Sequence, residues 1–114
     1  MRGSSKIKYV KLNILHLKQG KRDQNTKLLR EFFEKINGKI KGMKGCLVID
    51  NLVDSQETIV ITFWETKGDM DKYYRSDNRV LSDFVLKAKS NFEGVPERRD
   101  YIVTELDIYQ YSNL

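Results

Sequence analysis

The sequence predicts an α+β domain of order β-α-β-β-α-β, and three observations predict it. Two strand-like runs stand side by side in mid-chain across a short polar link. A helical stripe precedes them, and a second helical region followed by an apolar strand closes the 114 residues.

Residues 7–17 alternate as a first strand, with Val10, Leu12 and Ile14 on one face and Tyr9, Lys11, Asn13 and Leu15 on the other. A turn containing Gly20 follows. From about 23 to 41, Leu28, Leu29, Phe32, Phe33, Ile36 and Ile40 recur at three-to-four spacing, which marks a helix with one apolar stripe. Gly42 and Gly45 are expected at its end and in the turn beyond. Residues 46–53 and 58–64 are rich in Val, Ile, Phe and Thr, and the link Asp54-Ser55-Gln56-Glu57 makes them a hairpin. Thr66 followed by Asp69 reads as a capping box for a short helix. Ser76 is the expected cap of another, which carries Val80, Leu81, Phe84, Val85 and Ala88, so the second helical region is broken near Ser76. A loop with Gly94 and Pro96 leads to a last strand over 101–109. This order is the ferredoxin-like split βαβ arrangement, a four-stranded antiparallel sheet with the helical segments on one face. The domain is expected over residues 6–110, with residues 1–5 a disordered leading segment.

Parity carries the argument further. The third strand is apolar on both faces, with Ile59, Ile61 and Phe63 at one parity and Val60 and Trp64 at the other, and so is the first strand. Two helices cover only one face. An exposed apolar face of this size is an aggregation liability unless a second copy buries it, so a symmetric homodimer through the sheet is expected.

One cysteine, Cys46, excludes an internal disulfide or a cysteine metal cluster and suits a reducing cytoplasm. No apolar run reaches the roughly 20 residues of a membrane span, and the first residues lack the apolar core of a signal peptide. Charge is uneven: residues 1–44 carry thirteen Lys/Arg against three Asp/Glu, a surplus of +10 inside a net +5. Lys27, Arg30, Lys35, Lys39 and Lys41 fall on the polar side of the predicted helix, where solvation accounts for them, so a nucleic-acid partner is not expected.

Residues 63–77, Phe63-Trp64-Glu65-Thr66-Lys67-Gly68-Asp69-Met70-Asp71-Lys72-Tyr73-Tyr74-Arg75-Ser76-Asp77, resemble the signature of the antibiotic biosynthesis monooxygenase family. There a strand ends in Trp-Glu-Ser or similar, and a helix with an aromatic runs on to a Ser-Asp or Ser-Glu pair. The turn Gly42-Met43-Lys44-Gly45 is similar to the family's entry to its second strand. The resemblance implies a dimeric α/β-barrel architecture and one of two chemistries, cofactor-independent oxygenation of electron-rich aromatics or oxidative cleavage of haem. The haem branch's strand asparagine falls on Asn13, seven residues before Gly20. Its helix aromatic falls on Tyr73, and its axial histidine falls on Asp83. A carboxylate is a poor axial ligand for haem iron, so haem as a cofactor is disfavoured. The single histidine, His16, stands at the opposite parity to Asn13 and points to the other face.

Oxygenation without a cofactor needs an aromatic-binding pocket, a base, and donors for a developing oxyanion or peroxide. The expected catalytic residues are Asn13 as amide donor, Tyr73 (or its neighbour Tyr74) as phenol, and Asp83 as base. Tyr9, Lys11, Leu15, Phe33 and Trp64 are the expected substrate-binding residues, with Trp64 an aromatic wall and Lys11 a holder of a substrate anion. Tyr73 and Tyr74 are about 100 degrees apart on a helix, so one of them is expected to face the cavity and the other the surface or an interface. No metal is expected. A ligand-binding or regulatory dimer of the same fold is the alternative, with a pocket but no base.

Overall fold

The computed structural model describes residues 6–105. Residues 1–5 and positions 106–109 of the expected last strand lie outside them. The order is β1 (Tyr9–His16), α1 (Arg22–Ile36), β2 (Met43–Asp50), β3 (Glu57–Trp64), α2 (Lys67–Tyr73), α3 (Arg79–Ala88) and β4 (Glu97–Ile102), with a 3-10 turn at Lys89–Asn91 before β4. The sheet runs β2-β3-β1-β4 with every neighbouring pair antiparallel, so the fold is the ferredoxin-like α+β arrangement that the element order predicts.

Strand alternation divides the sheet. On β3 every second residue, Thr58, Val60, Thr62 and Trp64, is buried beneath the helices, while Ile59, Ile61 and Phe63 between them are half-buried on the other face. The strand register assembles that outer face into rows: Leu47, Ile61 and Leu12 in one, Ile49, Ile59 and Ile14 in the next, with Phe63 and Val10 beside them. On β4 the rows end at Glu97, Arg99 and Tyr101. Leu47 and Ile49 stay 47% and 42% exposed, so none of the described helices covers the face. His16 lies there too, where its Nε2 stands 3.2 Å from Glu97 Oε1.

Under the helices, Phe32, Ile36, Trp64, Met70 and Tyr73 form one buried cluster, and Leu15, Leu17, Leu29 and Val60 form a second. Half-buried Phe33 and Phe84 pack against both. On α1 the predicted Leu29, Phe32 and Ile36 are buried together with Asn25, which was not predicted, Leu28 and Phe33 are half-buried, and Lys27, Arg30 and Lys35 are exposed.

Several boundaries differ from expectation. The first helix ends at Ile36 rather than near 41, because Asn37 leaves helical geometry and Gly38 takes φ +73°. Gly42, at φ +79°, packs so closely on α2 that an added Cβ would collide with the Asp69 side chain. The second strand runs Met43–Asp50, three residues earlier than predicted. Asn51 Oδ1 accepts from the amides of Val53 and Asp54 at 2.8 Å, a local turn that takes Leu52 and Val53 out of the strand and into solvent. Thr66 caps α2 as expected, its hydroxyl accepting from Asp69 N at 3.1 Å. The break before α3 falls where predicted, but the cap is Asn78 and not Ser76. Asn78 Oδ1 accepts from Leu81 N at 3.3 Å, and its Nδ2 donates to Tyr73 O at 2.7 Å, tying the two helices together. The last strand begins at Glu97, directly after Pro96, four residues before the predicted start. Among the described residues no helix is long and apolar enough to cross a membrane.

Candidate active site

Between the sheet and the helices lies a cavity of about 380 Å³, within the range of small-molecule sites. Its walls are apolar: Leu15 and Val60 from the sheet, Leu29, Phe32 and Phe33 from α1, Leu81 and Val85 from α3, and Phe92, Val95 and Pro96 at the rim. One end is polar. There Asn13, Thr62 and Tyr74 meet, and Arg98 closes the group.

The register explains the meeting. Asn13 pairs with Val60 on one side and Arg98 on the other, so an asparagine on a central strand faces the helix side between two neighbours. Its Nδ2 donates to Val60 O at 3.1 Å and to the Tyr74 hydroxyl at 3.0 Å. The carbonyl partner fixes which end of the amide is nitrogen. Tyr74 follows the last residue of α2 and reaches back over the sheet, with its hydroxyl 2.9 Å from Thr62 Oγ1. Thr62 Oγ1 in turn accepts from the Trp64 indole N–H at 2.8 Å. Lys11 Nζ lies 4.5 Å and the Arg98 guanidinium 4.9 Å from the Tyr74 ring centre, so the ring is held by cations as well as by hydrogen bonds. Burial pushes the Tyr74 hydroxyl above its ordinary pKa, against opposing hydrogen bonds from Thr62 and Asn13. It is a neutral phenol at physiological pH.

The predicted residues fare unequally. Asn13, Leu15, Phe33 and Tyr73 line the cavity. Asn13 spends both amide protons on Val60 and Tyr74, so what remains to it is its carbonyl oxygen and the orientation of Tyr74. Tyr73 is 6% exposed and packs 5.3 Å from the Trp64 ring, and burial drives its pKa far up, so the phenol at the polar end is Tyr74 instead. The expectation that only one of the pair faces the cavity also gives way. Tyr74 follows the helical turn, and its ring stands edge-on to Tyr73 at 4.9 Å. Asp83 does not face the cavity. Leu81 and Val85, one turn apart, take that side of α3, and Asp83, about 200 degrees round from Leu81, is exposed in a groove with Glu31, Lys35 and Lys87. Trp64 is fully buried beneath Tyr73 and forms no wall. Tyr9, at the start of β1, packs on the core cluster outside the cavity. Lys11 lies outside it too, its ammonium 2.9 Å from Asp100 Oδ1. Arg98 and Thr62 were missed, Arg98 because residues 97–100 read as loop and Thr62 because it reads as an ordinary strand residue.

The lining lacks the commonest haem ligands among the described residues. Among the described residues it holds no histidine, cysteine or methionine, and His16 lies on the opposite face of the sheet. No cluster of three or more His, Cys, Asp or Glu that could hold a metal ion occurs among the described residues.

The fold and cavity together define an α+β domain with a candidate small-molecule site between sheet and helices. No protein-family profile matches the chain, and no curated protein sequence does. Solved structures do. A conserved protein from Methanosarcina mazei superposes with a TM-score of 0.72 at 17% identity, over 86% of this chain and 94% of its own. A protein from Caulobacter crescentus, provisionally named an antibiotic biosynthesis monooxygenase, gives 0.74 at 10% identity over 87% and 92%. One from Deinococcus radiodurans under the same provisional name gives 0.71 at 12% over 90% and 99%. Likeness at such identities shows the fold. The names agree with the resemblance of residues 63–77.

Proposed function

We propose that this chain is a monooxygenase that joins dioxygen to a small electron-rich aromatic of phenol or quinol type without an added cofactor, and that it works as a homodimer. The observation that supports the chemistry is the polar end of an otherwise apolar, aromatic-walled cavity, where Asn13 and Thr62 hold the Tyr74 hydroxyl. A flat ring fits the walls, and its oxygen meets the polar end. When Thr62 donates to Tyr74, the phenol proton is free to turn to the bound ligand and to stabilise a developing oxyanion or peroxide.

The reaction balances without a reductant. The substrate phenolate gives one electron to dioxygen, and the phenoxyl radical and superoxide recombine through a new C–O bond at a ring C–H. The resulting hydroperoxide loses water to leave a quinone. Phenol and dioxygen thus become quinone and water, with the phenol O–H and the ring C–H supplying both hydrogens of the water.

The homodimer reading rests on the outer face. Its rows of Leu, Ile, Val and Phe are left uncovered by the described residues, and a second copy presenting the same face would bury both. The free, exposed Cys46 thiol suits a reducing compartment, and the cytoplasm is the proposed location. A ligand-binding dimer without turnover is the second reading, favoured by a lining that holds, among the described residues, no carboxylate or imidazole to act as base.

The test is oxygen uptake by chelator-treated protein over a panel of naphthols, hydroquinones and anthrone-type compounds. Uptake of one dioxygen per substrate with no peroxide released is the expected result. Tight binding with no uptake for any compound moves the assignment to the ligand-binding reading.

A further inference from the structure

A cavity whose lining holds no base among the described residues raises the question of how its substrate becomes an anion. Arg98 supplies an answer. Among the described residues it is the one charged group in the lining, and it stands in the register beside Asn13, at the polar end. The Tyr74 ring, 4.9 Å away, steadies the guanidinium. The other cation nearby, Lys11, is matched by Asp100 at 2.9 Å, so that pair presents no net charge. Arg98 faces no carboxylate among the described residues. Its neighbour Arg99, on the other face of β4, is the one paired with Glu97, at 3.1 Å.

We infer that Arg98 makes this an anion-selecting site, which takes planar aromatics carrying one anionic oxygen, phenolate or carboxylate, in preference to their neutral counterparts. The inference rests on the cavity being the ligand site, as proposed above. A guanidinium offers paired N–H donors to such an oxygen, and apolar walls raise the worth of the charge-assisted bond. Ionisation is then favoured by the field of Arg98 on the bound ring rather than by a proton acceptor in the wall. Phenols that ionise readily should be the better substrates.

Two probes test it, one for each source of the anionic oxygen. 4-Nitrophenol reports its own ionisation by its absorbance. Bound to wild type, its apparent pKa should fall by about one unit or more, a tenfold preference for the phenolate. The second probe is 2-naphthoate against neutral 2-naphthalenemethanol by calorimetry, with the carboxylate expected to bind roughly tenfold tighter or better. Arg98→Gln should erase both preferences while the neutral compound binds as before, and Arg98→Lys should keep part of them. Arg98 is exposed, so both variants should keep the wild-type circular dichroism. If wild type binds the probes with no anion preference, or Arg98→Gln retains it, the anion-selection inference fails and the cavity reading stands. If wild type binds none of the four forms, both fail.

Discussion

Trp64→Ala should cost about 4 kcal/mol of folding stability, which for a domain of this size is roughly a quarter or more of the total. Trp64 is fully buried at the end of β3, in the cluster with Phe32, Ile36, Met70 and Tyr73. Truncation leaves a cavity that Tyr73, tied by its backbone carbonyl to Asn78, cannot collapse to fill. It also strips Thr62 Oγ1 of the indole donor at 2.8 Å and so loosens the hydroxyl that holds Tyr74. Trp64→Phe keeps most of the volume and should lose far less. Urea unfolding followed by circular dichroism measures both, since the chain's one tryptophan is removed in each. A loss under 1 kcal/mol for the alanine variant would show that Trp64 is not the keystone of this core.

Ile61→Lys should convert a dimer to a monomer. Ile61 sits at the middle of the outer face, flanked in register by Leu12 on β1 and Leu47 on β2. In the isolated chain its side chain is half-buried, so a lysine can reach water along its flexible stem and the fold should survive. In a face-to-face dimer the same lysine would be buried opposite its own symmetry mate, unpaired, at a cost that apolar contacts around it cannot offset. Light scattering at micromolar concentration should give twice 13.4 kDa for wild type and 13.4 kDa for the variant. A wild-type mass of 13.4 kDa without binding of an apolar-surface dye contradicts the homodimer. A variant that remains dimeric moves the interface elsewhere.

Periodicity carried the fold because alternation and helical stripes are properties of burial, and burial here follows them closely. Val60 and Trp64 lie beneath the helices and Ile59, Ile61 and Phe63 on the open face, as parity predicts. Boundaries were less legible where side chains replace backbone partners. Asn51 ends β2 by holding two amides of the following turn, and a propensity reading of Leu52 and Val53 cannot see that. The largest miss, β4, has the same cause as the miss of Arg98. Glu-Arg-Arg-Asp does not look like a strand, yet charged residues after a proline are what an edge strand tolerates. Asn13 was legible as an uncharged polar residue on a buried strand face. Its partner was not, because the chain turns out of α2 at Tyr74 and helical geometry no longer governs where that ring points. Asp83 was placed by resemblance alone, and the phase of α3 sends it to solvent.

Turnover of a phenolic substrate by Tyr74→Phe, beside wild type and Asp83→Asn, tests the central claim most directly. The phenylalanine keeps the ring beside Lys11 and Arg98 and removes only the hydroxyl that Asn13 and Thr62 hold. The account predicts a fall in kcat of about 10²-fold or more for Tyr74→Phe, the usual loss when one oxyanion donor is removed, and wild-type turnover for Asp83→Asn. Unchanged turnover in Tyr74→Phe, or a collapse in Asp83→Asn, would contradict it.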